Sequence, residues 1–183
     1  MRLCASKGDN MKKIGRIGLI LLITTSVYAS DIKNGFFMGI GGTGGMEVWE
    51  LKRIGGGLAL ASGYKFNKNL AALLLTDFFY TKKQGVHYLF IPVEAQGRFF
   101  FHEGAYAYAG GGYQFLRATD GPHFGVNSFT STYSGLTGEA GGGYEFCVEE
   151  SISVTTQLGL QYIRIAGANL YTPNFRLYFG YHF

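Results

Sequence analysis

The chain has 183 residues, of which 47% are hydrophobic and 15% charged, and its formal net charge is +4. Five of its 16 Lys and Arg residues but only one of its 12 acids lie in residues 1–29, so residues 30–183 carry 11 of each and are neutral. A neutral chain of this length predicts a single domain and gives no reason to expect a nucleic-acid partner.

The first predicted element is a secretory signal peptide. A basic segment at 11–16 precedes a largely apolar run at 17–27, and Val27-Tyr28-Ala29 is a small-x-small cleavage pattern. We therefore expect translation to start at Met11, residues 1–10 to be an upstream extension, and residues 30–183 to form the domain. Cys147 is the single cysteine of that domain, which excludes an intramolecular disulfide. No later apolar run is long enough for a spanning helix.

Eight segments alternate apolar and polar residues with period two, which indicates β-strands. In the fourth, Leu89, Ile91 and Val93 share one face, opposite Glu94 and Gln96. The third is less regular, and the sequence leaves open which face of the fifth is apolar. The eight segments lie at about 34–42, 54–66, 70–80, 88–99, 105–116, 135–146, 151–165 and 174–183.

The connections between these segments are expected to alternate in length. Short turns are predicted near 67–69, 101–104 and 147–150, and longer ones near 43–53, 81–87, 117–134 and 166–173. Short periplasmic turns, longer outer loops and an even strand number are typical of transmembrane barrels. A soluble lipocalin-type barrel also has eight strands, but its surface needs more charge than this chain has. The prediction is an all-β, eight-stranded antiparallel up-and-down transmembrane β-barrel.

The last ten residues alternate most regularly, with a fully apolar face and a second face that holds Arg176 and His182. Lipid on one side and a polar lumen on the other explain such a strand. The segment resembles the closing strand of small Gram-negative outer-membrane barrels of the OmpA-barrel, OmpX and opacity-protein type. That resemblance implies an integral outer-membrane protein in contact with outer-membrane lipid and lipopolysaccharide, with a C-terminal signature that is read by the barrel-assembly machinery. The signature residues are Phe175, Leu177, Phe179, Tyr181 and Phe183.

The polar faces of the strands predict a charged network in the lumen. An eight-stranded barrel is only wide enough to be filled by its own side chains, so these groups should pair with one another. We interpret them as a structural plug; the alternative is an ion pathway or a catalytic acid–base set. The predicted network consists of Lys65, Asp77, Glu94, Arg98, Glu139, Glu145, Arg176 and His182.

The glycine-rich segments give no sign of a cofactor. Residues 39–44 spell a dinucleotide-binding fingerprint, but no helix is predicted to follow it, so phosphate would find no helix N-terminus there. The triplets at 55–57, 110–112 and 141–143 instead suggest places where strands curve or where an aromatic ring covers bare backbone. We predict no cofactor, no metal and no catalytic residues.

Two functions are compatible with such a barrel. The first is a non-enzymatic surface protein, structural or in contact with a host or environmental protein ligand through the outer loops at 43–53 and 117–134. Its candidate contact residues are Phe124, Val126, Phe129 and Tyr133. The second is a lipid-modifying enzyme similar to the lipid A deacylases, although His123 and Ser128 lack that family's spacing. A narrow pore is a third alternative, which the small barrel disfavours.

Overall fold

A computed structural model of the chain describes residues 34–47, 53–83, 85–120, 129–165 and 167–183. Every strand pairs antiparallel with its neighbour in sequence, and β8 pairs with β1 to close the barrel. The eight-stranded up-and-down barrel is therefore confirmed. Its strands are β1 (Gly35–Glu47), β2 (Arg53–Lys65), β3 (Leu70–Lys83), β4 (Val86–His102), β5 (Ala105–Asp120), β6 (Phe129–Glu149), β7 (Ile152–Ile165) and β8 (Ala168–His182).

The side chains face as the alternation predicted. Leu58, Leu74 and Leu158 are more than half exposed on the outer wall, whereas the side chains next to them in sequence, among them Leu75 and Gln157, point inward. Aromatic residues extend to both margins of this wall, as amphipathic rings do at a membrane interface. In β5, which the sequence left open, Tyr106 and Tyr108 point inward and the alternating alanines face out.

The outer connections are shorter than the sequence predicted, and two of the predicted long loops are two-residue turns. β3 and β4 pair as far as Lys83 and Val86, and β7 and β8 as far as Ile165 and Ala168, which leaves two residues between the strands of each hairpin. Gly85 and Gly167 adopt positive φ angles of 87° and 81°, as two-residue hairpins require. Beyond the membrane a strand needs no apolar outer face, so the alternation ends while backbone pairing continues.

The connection expected at 117–134 shortens to residues 121–128, because β5 continues to Asp120 and β6 begins at Phe129. The strand pair Asp120↔Phe129 closes this hairpin. Tyr133 therefore lies in a strand rather than in a loop. Phe124 and Val126 lie outside the described residues, as does the predicted signal peptide.

The outer end of the barrel is uneven. Pairing between β6 and β7 begins at Gly135↔Ile165, so residues 129–134 of β6 have β5 as their one strand neighbour within the described chain. At a rise of about 3.4 Å per residue and a tilt of about 40°, the 21 residues of β6 span roughly 55 Å along the barrel axis, about twice the roughly 25 Å apolar band of such barrels. The β5–β6 hairpin therefore projects outward. Among the described residues, no helix is both long and apolar enough to cross a membrane.

Candidate functional site: a filled lumen below an outer cavity

The centre of the lumen is an ion-pair layer built around Arg176 of β8. Its Nη1 donates to both carboxylate oxygens of Glu139 at 2.6 and 2.7 Å. Its Nε and Nη2 donate to Oδ2 of Asp77 at 2.8 and 2.6 Å. Glu94 lies 3.9 Å from the same guanidinium and accepts hydrogen bonds from Thr137 and Gln161. Four strands thus place one cation among three carboxylates, and the pairing offsets much of the cost of burying them.

Below this layer, Arg98 and inward-pointing tyrosines fill the barrel. The Arg98 guanidinium lies 4.5 Å from the ring centroid of Tyr106 and 5.4 Å from that of Tyr178. It donates to Gln157 at 3.0 Å and to Gln96 at 3.1 Å. Its partners are therefore neutral amides and aromatic faces, which stabilise a desolvated guanidinium without a carboxylate.

The periplasmic end of the lumen holds a second charged cluster. Lys65 lies 3.8 Å from Glu145 and 4.4 Å from the ring centroid of Phe100. His182 lies 3.4 Å from Glu145, and its ring stacks on that of Phe37 with a centroid separation of 5.4 Å. Polar groups and rings together fill this end of the barrel.

Ser153, His182 and Glu145 carry the residue types of a catalytic triad but not its geometry. Ser153 Oγ lies 3.0 Å from His182 Nε2, and Glu145 Oε1 lies 3.4 Å from the same nitrogen. In a triad the acid holds the opposite ring nitrogen, whereas Nδ1 of His182 has no hydrogen-bond partner in the described part of the chain. All three residues are at most 4% exposed, so a substrate could not reach the serine.

Glycines opposite the inward tyrosines explain part of the glycine-rich pattern. A Cβ on Gly159 would lie 1.9 Å from the Tyr108 hydroxyl, and one on Gly143 would lie 2.4 Å from that of Tyr106. Tyr108 donates to Glu139 at 2.5 Å across this gap. Of the predicted glycine triplets, Gly143 confirms the expectation that a ring covers bare backbone, and Gly159 shows the same arrangement outside the triplets. Gly39–Gly44, the dinucleotide-like segment, lies within β1.

The outer half of the lumen contains a cavity above the Arg176 layer. A cavity of about 40 Å³, continuous with solvent, lies between apolar walls and a polar floor. Phe79, Phe90, Ile163 and Leu170 belong to the walls, and Asp77 belongs to the floor. The walls carry small residues as well as large ones, so the side chains here do not meet across the barrel.

All eight residues of the predicted lumen network are buried, and the structure brings them into two groups. Asp77, Glu94, Glu139 and Arg176 form the central layer, and Lys65, Glu145 and His182 form the periplasmic cluster, with Arg98 between them. The sequence analysis missed the glutamines and tyrosines that connect these charges. The period-two alternation already indicated that the glutamines of β4 and β7 point inward, but it left the facing of β5 open. The missed residues are Gln96, Gln157, Gln161, Tyr106, Tyr108 and Tyr178, together with Gln114, which lines the outer cavity rather than connecting charges.

The predicted C-terminal signature forms the outward face of β8, and the five signature side chains are 37–65% exposed. Of the candidate contact residues, Tyr133 is exposed on β6, and the backbone of Phe129 begins that strand. Within the described residues, no group of His, Cys, Asp and Glu side chains could hold a metal ion.

Several solved bacterial outer-membrane proteins share this fold. Ail, the attachment invasion locus protein of Yersinia pestis, matches with a TM-score of 0.62 and 17% identity over 82% of this chain and 100% of that chain. Neisserial surface protein A matches with a TM-score of 0.60 and 15% identity over 81% of this chain and 97% of that chain. The N-terminal barrel domain of OprF from Pseudomonas aeruginosa matches with a TM-score of 0.57 and 14% identity over 81% of this chain and 100% of that chain. No protein-family model and no curated protein match the sequence. At these identities the likeness establishes the fold.

Proposed function

We propose that this chain, which has the fold of the small eight-stranded outer-membrane barrels, is a non-enzymatic surface protein of the Gram-negative outer membrane. The apolar outer wall and the structural likeness to Ail, Neisserial surface protein A and OprF support an integral position in that membrane. The proposed activity is contact with an extracellular protein through the outer end of the barrel.

The observation that carries this proposal is the projecting β5–β6 hairpin. Residues 129–134 of β6 pair with β5 on one side and with no described strand on the other. An open strand edge is a template for an extended segment of another protein, because its N–H and C=O groups can continue the sheet. The filled lumen and the inaccessible Ser153 offer no comparable support for transport or catalysis.

Two further partners follow from the outer wall. Lys82, Arg117 and Arg164 are exposed near the outer strand ends, where basic side chains suit the anionic headgroups of lipopolysaccharide.

The aromatic face of β8 is the proposed contact for the barrel-assembly machinery. Truncation of Phe183 should therefore lower the amount of folded protein in the membrane without changing its orientation there.

The open edge can be tested with a pair of proline substitutions. Successive N–H groups of a strand point to opposite sides, so one of Ser131→Pro and Thr132→Pro blocks the open edge while the other breaks the pairing with β5. Cells that express each variant would be compared with wild-type cells for adhesion to immobilised fibronectin, laminin and collagen. Heat-modifiable migration on a detergent gel reports whether each barrel folds.

We expect the folded, edge-blocking variant to lose adhesion. A matched variant in which residues 121–128 are replaced by an eight-residue Gly/Ser linker distinguishes the edge from the loop that contains Phe124 and Val126. Retained adhesion in the linker variant supports the strand edge, and its loss assigns the contact to the loop. Equal adhesion of all cells, including cells with an empty vector, refutes surface contact with these proteins. Unchanged lipid A mass spectra on overexpression would agree with a non-enzymatic role.

A further inference from the structure

The outer cavity combines apolar walls with buried polar groups that lack partners. Among the described residues, no hydrogen-bond partner exists for Oδ1 of Asp77, Oε1 of Gln114, or either polar side-chain atom of Asn174. These three residues line the cavity and are 4%, 0% and 8% exposed. Buried polar atoms normally find partners, so a cluster around one cavity indicates a bound group.

The unpartnered atoms are mostly acceptors. Three of these four atoms are acceptors, a carboxylate oxygen and two amide carbonyl oxygens, and the fourth is an amide nitrogen that can donate. A ligand that satisfies them must therefore bring several donors on one head group. A hydroxyl group brings one donor, a carboxylate none, and a primary ammonium three.

The charge around the cavity floor has the sign that attracts a cation. Asp77, Glu94 and Glu139 surround the single guanidinium of Arg176, so carboxylates outnumber cations in this layer. The next cation below, Arg98, is bound to neutral Gln96 and Gln157. An anionic head group would meet the unpartnered oxygen of Asp77, and in a desolvated site such an encounter is costly.

The walls suit an apolar body. Phe79 and Phe90 line the cavity with their rings edge to face at a centroid separation of 6.1 Å, and Ile163 and Leu170 lie on other strands that line it. Aromatic faces also attract ammonium groups, which adds to the preference for a cation.

We propose that this cavity binds a small organic ammonium ion, a primary amine on a short apolar body, with Asp77, Gln114 and Asn174 as its hydrogen-bond acceptors. The Arg176 layer and the tyrosines below it block the lumen toward the periplasm. The amine therefore enters from the outer end of the barrel.

The test uses the folded protein in nanodiscs of zwitterionic phosphatidylcholine, which does not itself concentrate cations. 2-Phenylethylammonium would be titrated while the side-chain amide resonances of Gln114 and Asn174 are followed by NMR. Saturable shifts are expected, with binding about tenfold or more tighter than for the neutral isostere 2-phenylethanol, because a charge-assisted hydrogen bond is roughly twice as strong as a neutral one. Phenylacetate should cause no saturable shift.

Equal affinity for the alcohol and the amine, or no saturable shift with the amine, would overturn the proposal; the second result would mean that the cavity holds water alone. Asn174→Leu removes two unpartnered atoms and should weaken amine binding about tenfold or more. Asn169→Leu on the same strand is its matched control, because Asn169 faces outward and accepts from Tyr162, and should bind as wild type. If Asn174→Leu fails to fold, Ile163→Trp fills the cavity without changing a polar group and should abolish binding.

Discussion

The two halves of the lumen differ in how their side chains meet. In the periplasmic half, Arg98 and Tyr178 reach across the barrel, and among the described residues the buried side-chain atoms without a hydrogen-bond partner there are Nε2 of Gln96 and Nδ1 of His182. In the outer half, Thr43, Gly45 and Thr172 are small, and a cavity remains above Arg176. The strand number is the same at both levels, so barrel geometry alone does not decide whether the lumen is filled. The choice of side chains decides it, and the filled half supplies stability while the open half leaves room for a ligand.

The largest expected effect comes from removing the cation between the two halves. Arg176→Leu leaves the buried carboxylates of Asp77 and Glu139 without their main partner and removes the cation nearest Glu94, so we expect a loss of about 3–5 kcal/mol of unfolding free energy or failure to fold. Urea unfolding in detergent micelles measures it. Arg164→Leu on the outward face is the control and should change stability by less than about 0.5 kcal/mol. If the unfolding free energy of Arg176→Leu lies within about 1 kcal/mol of the wild-type value, the result would contradict the role of the ion-pair layer.

Overpacking tests the filled half directly. In Gly159→Ala the new methyl group would meet the Tyr108 hydroxyl 1.9 Å away, which should displace the ring from Glu139. We expect a loss of about 2–3 kcal/mol. The matched substitution Gly138→Ala faces outward, with its nearest neighbouring atom 3.7 Å away, and should be neutral or stabilising. Equal effects of the two substitutions would show that the tyrosine packing is loose.

A pair of substitutions to leucine compares the two halves. Ala61 is buried among the packed residues of the periplasmic half, so Ala61→Leu should cost about 2 kcal/mol. Thr172 borders the cavity, so Thr172→Leu should change stability by less than about 0.5 kcal/mol because its added atoms enter empty space. The midpoints of urea unfolding measure both, and a greater loss for the threonine variant would reverse the comparison.

Of the destabilising substitutions, Ser153→Ala is expected to have the smallest effect. Ser153→Ala removes a hydroxyl that contacts His182 and Glu145, which should cost about 1 kcal/mol. Because the arrangement is not a triad, the lipid A profile of cells that overexpress the variant should equal that of cells with the wild-type protein. A difference in acylation between the two would restore the enzymatic alternative.

Much of the barrel could be read from the chain, because a bilayer outside and a polar lumen inside impose period-two alternation strand after strand. Leu74 and Leu158 face outward and Glu94 and Arg98 inward as this alternation predicts. β5 was ambiguous because tyrosine and alanine are compatible with either side. Tyr106 and Tyr108 lie inside, where Tyr108 reaches Glu139 and Tyr106 reaches the carbonyl of Thr156, whereas Tyr113 of the same strand faces outward.

The outer ends of the strands could not be read in the same way. Outside the membrane the alternation is no longer enforced, so Lys83 and Ala168 were assigned to loops although their backbones are paired. The candidate contact residue Tyr133 was misplaced for the same reason. A projecting strand pair has the polar composition of a loop, and the difference lies in its backbone hydrogen bonds.

The sequence by itself determined the strand number, the facing of most strands and the eight buried charges, because each follows from local period and composition. Only the tertiary structure decided which charges pair. Arg176 meets Asp77 and Glu139 across sequence separations of 99 and 37 residues. That meeting depends on barrel closure and on the register of every strand between them. The outer cavity has the same origin, since empty space arises where side chains from distant strands fail to meet.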